Sequence, residues 1–127
     1  MARKKNLSNH KIGALVRKRV EEIRSKFSVK FKIGDLVKEK YVKDNVGLVL
    51  QEVEAKKRIL GNVVSHFVPK VSNENAVPVD YLANRYYSFK VKVLWMHHPE
   101  VVAGELDQIS DMNVHYLTQH KEKKVIS

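Results

Sequence analysis

Hydrophobic residues near the start of the chain recur at the spacing of a helix. Between residues 9 and 28 the apolar positions are separated by three, one, four and three residues, which matches one helical face and not strand alternation. The sequence therefore predicts an amphipathic helix whose apolar stripe consists of Ile12, Leu15, Val16, Val20 and Ile23. A helix of this length is marginal in water by itself, so we expect another surface, of this chain or of another subunit, to cover the stripe.

The pattern changes to a period of two at Val29, which predicts β-structure from there to about residue 120. The clearest strand is 86–96, where Phe89 and Trp95 share one face and Lys90 and Lys92 share the other. A glycine, Gly47, interrupts an apolar run and indicates a bend. The predicted core consists of Leu36, Val37, Leu48, Leu50, Phe89, Val91, Val93, Trp95 and Leu117.

Four short segments follow one another in a familiar series. They are Gly34-Asp35-Leu36-Val37, the apolar run 47–53, Val91-Lys92-Val93-Leu94-Trp95 and the segment 111–117. Over residues 31–117 this series resembles small SH3-like barrel proteins of tailed bacteriophages, especially large marine ones. The resemblance implies a small SH3-like barrel of five to six strands, so the expected fold is mainly β. The basic amphipathic helix that precedes the barrel is an addition to the pattern of that family.

The chain is expected to have four parts. They are a basic extended arm at 1–8, the amphipathic basic helix at 9–28, the barrel at 29–120 with a long insertion at 55–85, and a basic tail at 121–127. An insertion of that length is more often functional or interface-forming than idle.

Positive charge is concentrated at the ends of the chain. The net charge is +10, of which residues 1–32 contribute +9, residues 33–120 contribute −1 and residues 121–127 contribute +2. This distribution predicts attraction to an acidic partner through the N-terminal part.

Catalytic and metal chemistry have little support. The chain has no cysteine, no phosphate-binding glycine loop and no nucleophile elbow. The compact cluster His97, His98 and Glu100 is a weak metal candidate, because adjacent histidines in a strand point to opposite faces. We therefore expect no enzymatic activity, no cofactor, no metal and no small-molecule substrate. No apolar run is long enough for a membrane span, and no apolar block follows the first residues as in a secretory signal.

Two functions remain open. The first is a non-enzymatic structural or adaptor subunit of a tailed-phage virion, present in multiple copies, made in the host cytoplasm and docked on neighbouring virion or assembly proteins. Its expected partner-binding residues are Ile12, Leu15, Val16, Val20, Ile23, Arg17 and Arg24.

The alternative is sequence-independent nucleic-acid binding, with an affinity that falls steeply with salt. Its expected contacts are the basic residues of the N-terminal part and two lysines on one strand face, namely Arg3, Lys4, Lys5, Lys18, Arg19, Lys90 and Lys92.

Overall fold

The structure is a computed structural model that describes residues 7–58 and 70–120. These residues form a helix followed by a curled antiparallel sheet of six strands, so the mainly β fold of five to six strands is confirmed. The elements in chain order are α1 (Asn9–Lys30), β1 (Leu36–Glu39), β2 (Val46–Val49), β3 (Glu54–Lys57), α2 (Val79–Tyr86), β4 (Tyr87–His97), α3 (Pro99–Val102), β5 (Ile109–Asn113) and β6 (Leu117–Gln119), with 3-10 turns at Glu74–Ala76 and Val114–Tyr116.

The sheet is organised around its longest strand, β4. The strand order is β3–β4–β2–β1–β6, and β5 also pairs with β4. The first strand pairs with the last, because Lys38 lies opposite Thr118 and Glu39 opposite Leu117 in the antiparallel register of β1 and β6. This pairing places the first and last strands of the β-region side by side.

The chain divides into two compact units. Unit 1 contains the described residues 7–23, 55–58 and 70–88, and unit 2 contains 24–54 and 89–120.

In unit 1, the N-terminal part of α1 is held by residues of the same chain. The Lys11 Nζ atom lies 2.9 Å from Glu74 Oε1, and the Leu7 backbone N–H donates to the Val71 carbonyl at 2.7 Å. The buried hydrophobic residues of this unit come from α1 and from the segment 77–83, and are Ile12, Val16, Val20, Val77, Leu82 and Ala83. Part of the predicted insertion 55–85 is therefore structured, as β3 and α2, and α2 contributes buried residues to the same unit as the helical stripe.

In unit 2, the alternation of β4 is as the sequence predicts. Phe89, Val91, Val93 and Trp95 are all buried, as are Val37 and Leu117 from the predicted core. Two predictions are wrong in detail. The helix continues to Lys30, so Val29 is an exposed helical residue and does not begin a strand.

The inward face of β2 is also different from the predicted one. Leu48 and Leu50 are half-buried, like Leu36, whereas Gly47 and Val49 face the core. A Cβ atom at Gly47 would overlap Val93 Cγ1 and lie 2.8 Å from Trp95 Cε3, so the neighbouring strand requires a glycine here. Because side chains alternate along a strand, an inward Gly47 also places Val49 inward.

We expect Gly47→Ala to lower the free energy of unfolding by about 1–3 kcal/mol, because the added methyl group overpacks the site against Val93 and Trp95. Chemical denaturation measures the change. The matched control is Gly13→Ala inside α1, where the new Cβ would meet, among the described residues, the flexible Arg17 guanidinium at 3.2 Å. That variant should be more stable than wild type by up to about 1 kcal/mol. Equal effects of the same sign would contradict the close approach at Gly47.

Candidate functional site

The most deeply buried polar side chain described in unit 2 is that of His98, which directly follows β4 and is 1% exposed. Its Nδ1 atom accepts a hydrogen bond from the Glu100 backbone N–H at 3.1 Å and so caps α3. Its Nε2 atom lies 2.6 Å from Glu39 Oε2. Because a backbone N–H can only donate, Nδ1 carries the lone pair and Nε2 carries the proton that is donated to Glu39.

This hydrogen-bond pattern argues against a metal centre at the same residues. Possible ligand atoms of Glu39, His98 and Glu100 lie within 4.8 Å of one another. A neutral imidazole binds a metal through a ring nitrogen with a free lone pair, but the only lone pair of His98 accepts the capping bond. The cluster therefore acts as a structural link between β1 and the start of α3.

The neighbouring histidine, His97, has a different environment. His97 is exposed whereas His98 is buried, and Glu39, not His97, lies with His98 and Glu100. The Trp95 ring packs edge-on against His98 with 4.6 Å between ring centroids, and the Trp95 indole N–H is buried without a protein partner among the described residues. No local sequence pattern indicates the Glu39–His98 pair, because its members are 59 residues apart.

The apolar stripe predicted to bind a partner is covered by other residues of the same chain. Ile12, Val16 and Val20 are 3%, 7% and 6% exposed, and Leu15 and Ile23 are half-buried. Arg24 is partly buried, and its guanidinium donates to the Val53 carbonyl at 3.3 Å. Because these groups are packed against their own chain, they do not form a free docking surface; of the expected set, Arg17 is exposed.

The predicted nucleic-acid contacts have different environments. Lys18 is exposed, whereas Arg19 is ion-paired with Asp80 and with Glu22, the latter at 3.0 Å. The hydrogen bond to Asp80, followed by that to Glu22, raises the pKa of Arg19. Much of the Arg19 charge is therefore balanced within unit 1.

The two strand lysines are half-buried. In the register of β4 and β5, Lys90 lies opposite Asn113 and Lys92 lies opposite Asp111. The basic residues Arg3, Lys4 and Lys5 lie outside the described residues.

Charge is distributed unevenly between the two units. The described residues of unit 1 include nine basic and four acidic side chains, a net charge of +5. Those of unit 2 include nine of each and are neutral. The excess positive charge of the described residues is therefore confined to unit 1.

No family model, curated protein or solved structure matches this chain. Within residues 7–58 and 70–120, no helix combines the length and the apolar character that crossing a membrane requires. The function therefore has to be inferred from the side chains themselves.

Proposed function

We propose that this chain is a non-enzymatic nucleic-acid-binding protein that binds phosphate backbones without sequence specificity. The observation that carries the proposal is the net charge of +5 on the described residues of unit 1, compared with a net charge of zero on those of unit 2. Arg17 and Lys18 are exposed on α1, and Lys56, Lys57 and Arg58 are exposed on and just after β3. Exposed lysines and arginines bind phosphates by releasing condensed counterions.

We further propose that the β-region is a small SH3-like barrel. The antiparallel sheet of short strands supports this identity, since β1 pairs with β2 on one side and with the last strand, β6, on the other. The register of β2 on β4 shifts between Val46 and Gly47. This irregularity at a glycine supports the same identity, because small barrels use glycines and bulges at their corners.

The test is a titration of the full chain with fluorescein-labelled DNA at several salt concentrations. The wild-type protein should bind with an affinity that falls linearly on a log–log plot against salt. The variant Arg17→Gln/Lys18→Gln should bind more weakly and reduce the slope of that plot by about 2, one unit for each phosphate contact.

The matched control is Lys26→Gln/Lys32→Gln, which removes the same charge from two exposed residues of unit 2. It should leave the slope unchanged. Equal losses in the two variants would mean that only net charge matters, and salt-independent binding by wild type would contradict the proposal.

The second candidate function is a structural subunit of a tailed-phage virion that contacts neighbouring assembly proteins. Three exposed hydrophobic residues of unit 2 favour it: Met96, Val102 and Ile109. The start of β5 lies beside the end of β4, because Ile109 is opposite Leu94 and the Trp95 N–H donates to the Gln108 carbonyl at 2.7 Å. A wild-type chain that sediments as a multimer and shows no salt-dependent DNA binding would favour this candidate over the first.

A further inference from the structure

The outer face of the β1–β6 pair combines cationic and aromatic side chains. Lys38 lies opposite Thr118, and the Lys40 backbone N–H donates to the Tyr116 carbonyl at 2.7 Å. Leu117 is fully buried, so the alternation of side chains directs its strand neighbour Thr118 and the opposite Lys38 away from the core. All of these residues belong to unit 2.

A cleft of about 470 Å³ opens at one end of this face. It is lined by Lys30, Lys38, Thr118, Gln119 and His120, with no acidic side chain among them. The Gln119 side-chain amide donates to the Lys30 carbonyl at 2.6 Å, which holds the last turn of α1 against β6. Ammonium groups and a hydroxyl around an open cleft suit an oxyanion such as a backbone phosphate.

The other end of the face carries a tyrosine in an unusual conformation. Tyr41 has a φ of 65°, in the left-handed region, and its side chain is fully exposed. Packing of this side chain therefore does not offset the energetic cost of the backbone conformation. The turn that holds it is fixed by the buried Asn45, whose Oδ1 accepts from the Glu39 N–H at 2.6 Å and whose Nδ2 donates to the Val42 carbonyl at 2.8 Å. The fold therefore presents an aromatic ring to solvent on a well-anchored turn.

A second exposed aromatic residue lies beside this turn. Tyr116 is 59% exposed, and its backbone is hydrogen-bonded to Lys40, the residue before Tyr41. The nearby exposed charges of the turn are Lys40, Lys43 and Asp44, so the aromatic residues lie in a locally basic surface.

We propose that this face binds single-stranded nucleic acid. Phosphates occupy the cleft beside Lys30 and Lys38, and unpaired bases stack on Tyr41 and Tyr116. Aromatic platforms beside cations are how proteins hold single strands without sequence preference, whereas the bases of a duplex are already stacked and cannot use exposed rings. This inference rests on the proposed function and names the form of nucleic acid that the protein prefers.

The test compares a labelled oligothymidine of about 12 nucleotides with a duplex of the same length, using the full chain. Tyr41→Gly/Tyr116→Ala should weaken binding of the single strand about 100-fold, because each of the two lost stacks costs roughly a factor of 10. Duplex affinity and the salt slope should stay the same, since no charge is removed. Glycine is used at position 41 because it adopts a positive φ without strain, which protects folding.

The matched control is Tyr81→Ala, which removes a ring of similar exposure (64%) from α2 in unit 1. It should bind the oligothymidine as wild type does. Lys30→Gln/Lys38→Gln should weaken binding and reduce the salt slope.

Each contrary outcome has a distinct meaning. If the double tyrosine variant bound the oligothymidine as tightly as wild type, or if Tyr81→Ala lost as much affinity, the proposed single-strand site would be contradicted. The proposal of salt-dependent binding by unit 1 would still stand. Tighter binding of polyglutamate than of oligothymidine would also overturn it, in favour of an acidic protein partner. Absence of any salt-dependent DNA binding by wild type would overturn the proposed function as well.

Discussion

Replacing both Val16 and Val20 with aspartate is expected to unfold unit 1. The two side chains are 7% and 6% exposed, and each substitution would bury an unpaired carboxylate in place of a packed valine. Such changes belong to the most destabilising class, and we expect the pair to lower the free energy of unfolding by at least about 4 kcal/mol. The loss of helical circular dichroism in urea measures the effect.

The control for this experiment uses the neighbouring exposed positions of the same helix. Arg17→Asp/Lys18→Asp introduces two aspartates into α1 without burying them, and should cost no more than about 1.5 kcal/mol through helix propensity and charge. From the sequence alone, the aspartate pair at 16 and 20 would be expected to abolish partner docking and leave the barrel folded. A double variant that remained folded and helical would support that expectation and would show that Val16 and Val20 are not part of the core.

The second large effect is expected for His98→Ala. The substitution removes the hydrogen bond to Glu39, the acceptor that caps α3 and the ring that packs on Trp95. It also leaves a cavity and a carboxylate without its partner, so we expect a loss of about 3 kcal/mol or more in the free energy of unfolding. Denaturation of the two proteins under the same conditions measures the difference.

The adjacent histidine provides the comparison. His97 is exposed, and His97→Ala should change the free energy of unfolding by less than about 0.5 kcal/mol. Glu39→Gln keeps a hydrogen-bond acceptor for His98 and should be milder than His98→Ala. If His98→Ala were as stable as His97→Ala, the link between β1 and α3 would contribute nothing to folding.

Parts of the fold with strict periodicity could be predicted from the sequence. The alternation in β4 identifies Phe89, Val91, Val93 and Trp95 as core residues, because a polar residue separates most members of the series. The run 46–50 is almost continuously apolar, so its pattern does not show which face is inward. The close approach of Trp95 to Gly47, a tertiary contact, determines the inward face.

The apolar stripe of α1 shows a different limit of prediction from sequence. Periodicity identifies the side of α1 that must be covered, but a repeat in one segment carries no information about which segment covers it. The other buried hydrophobic residues described in unit 1, such as Val77 and Leu82, lie about 60 positions away along the chain. Likewise, nothing local indicates that Tyr41 adopts a positive φ, because tyrosine is not a residue that favours it.

The single tryptophan makes the two units optically separable. Trp95 is the only one in the chain, is buried in unit 2 and packs on His98. Its fluorescence therefore monitors the solvent exposure of the β-core of unit 2, while ellipticity at the helical wavelength comes mainly from residues 9–23 of α1 and from α2, which belong to unit 1. If aspartates at 16 and 20 strongly reduce the ellipticity and leave the emission spectrum blue-shifted, the β-core keeps its structure when unit 1 has melted.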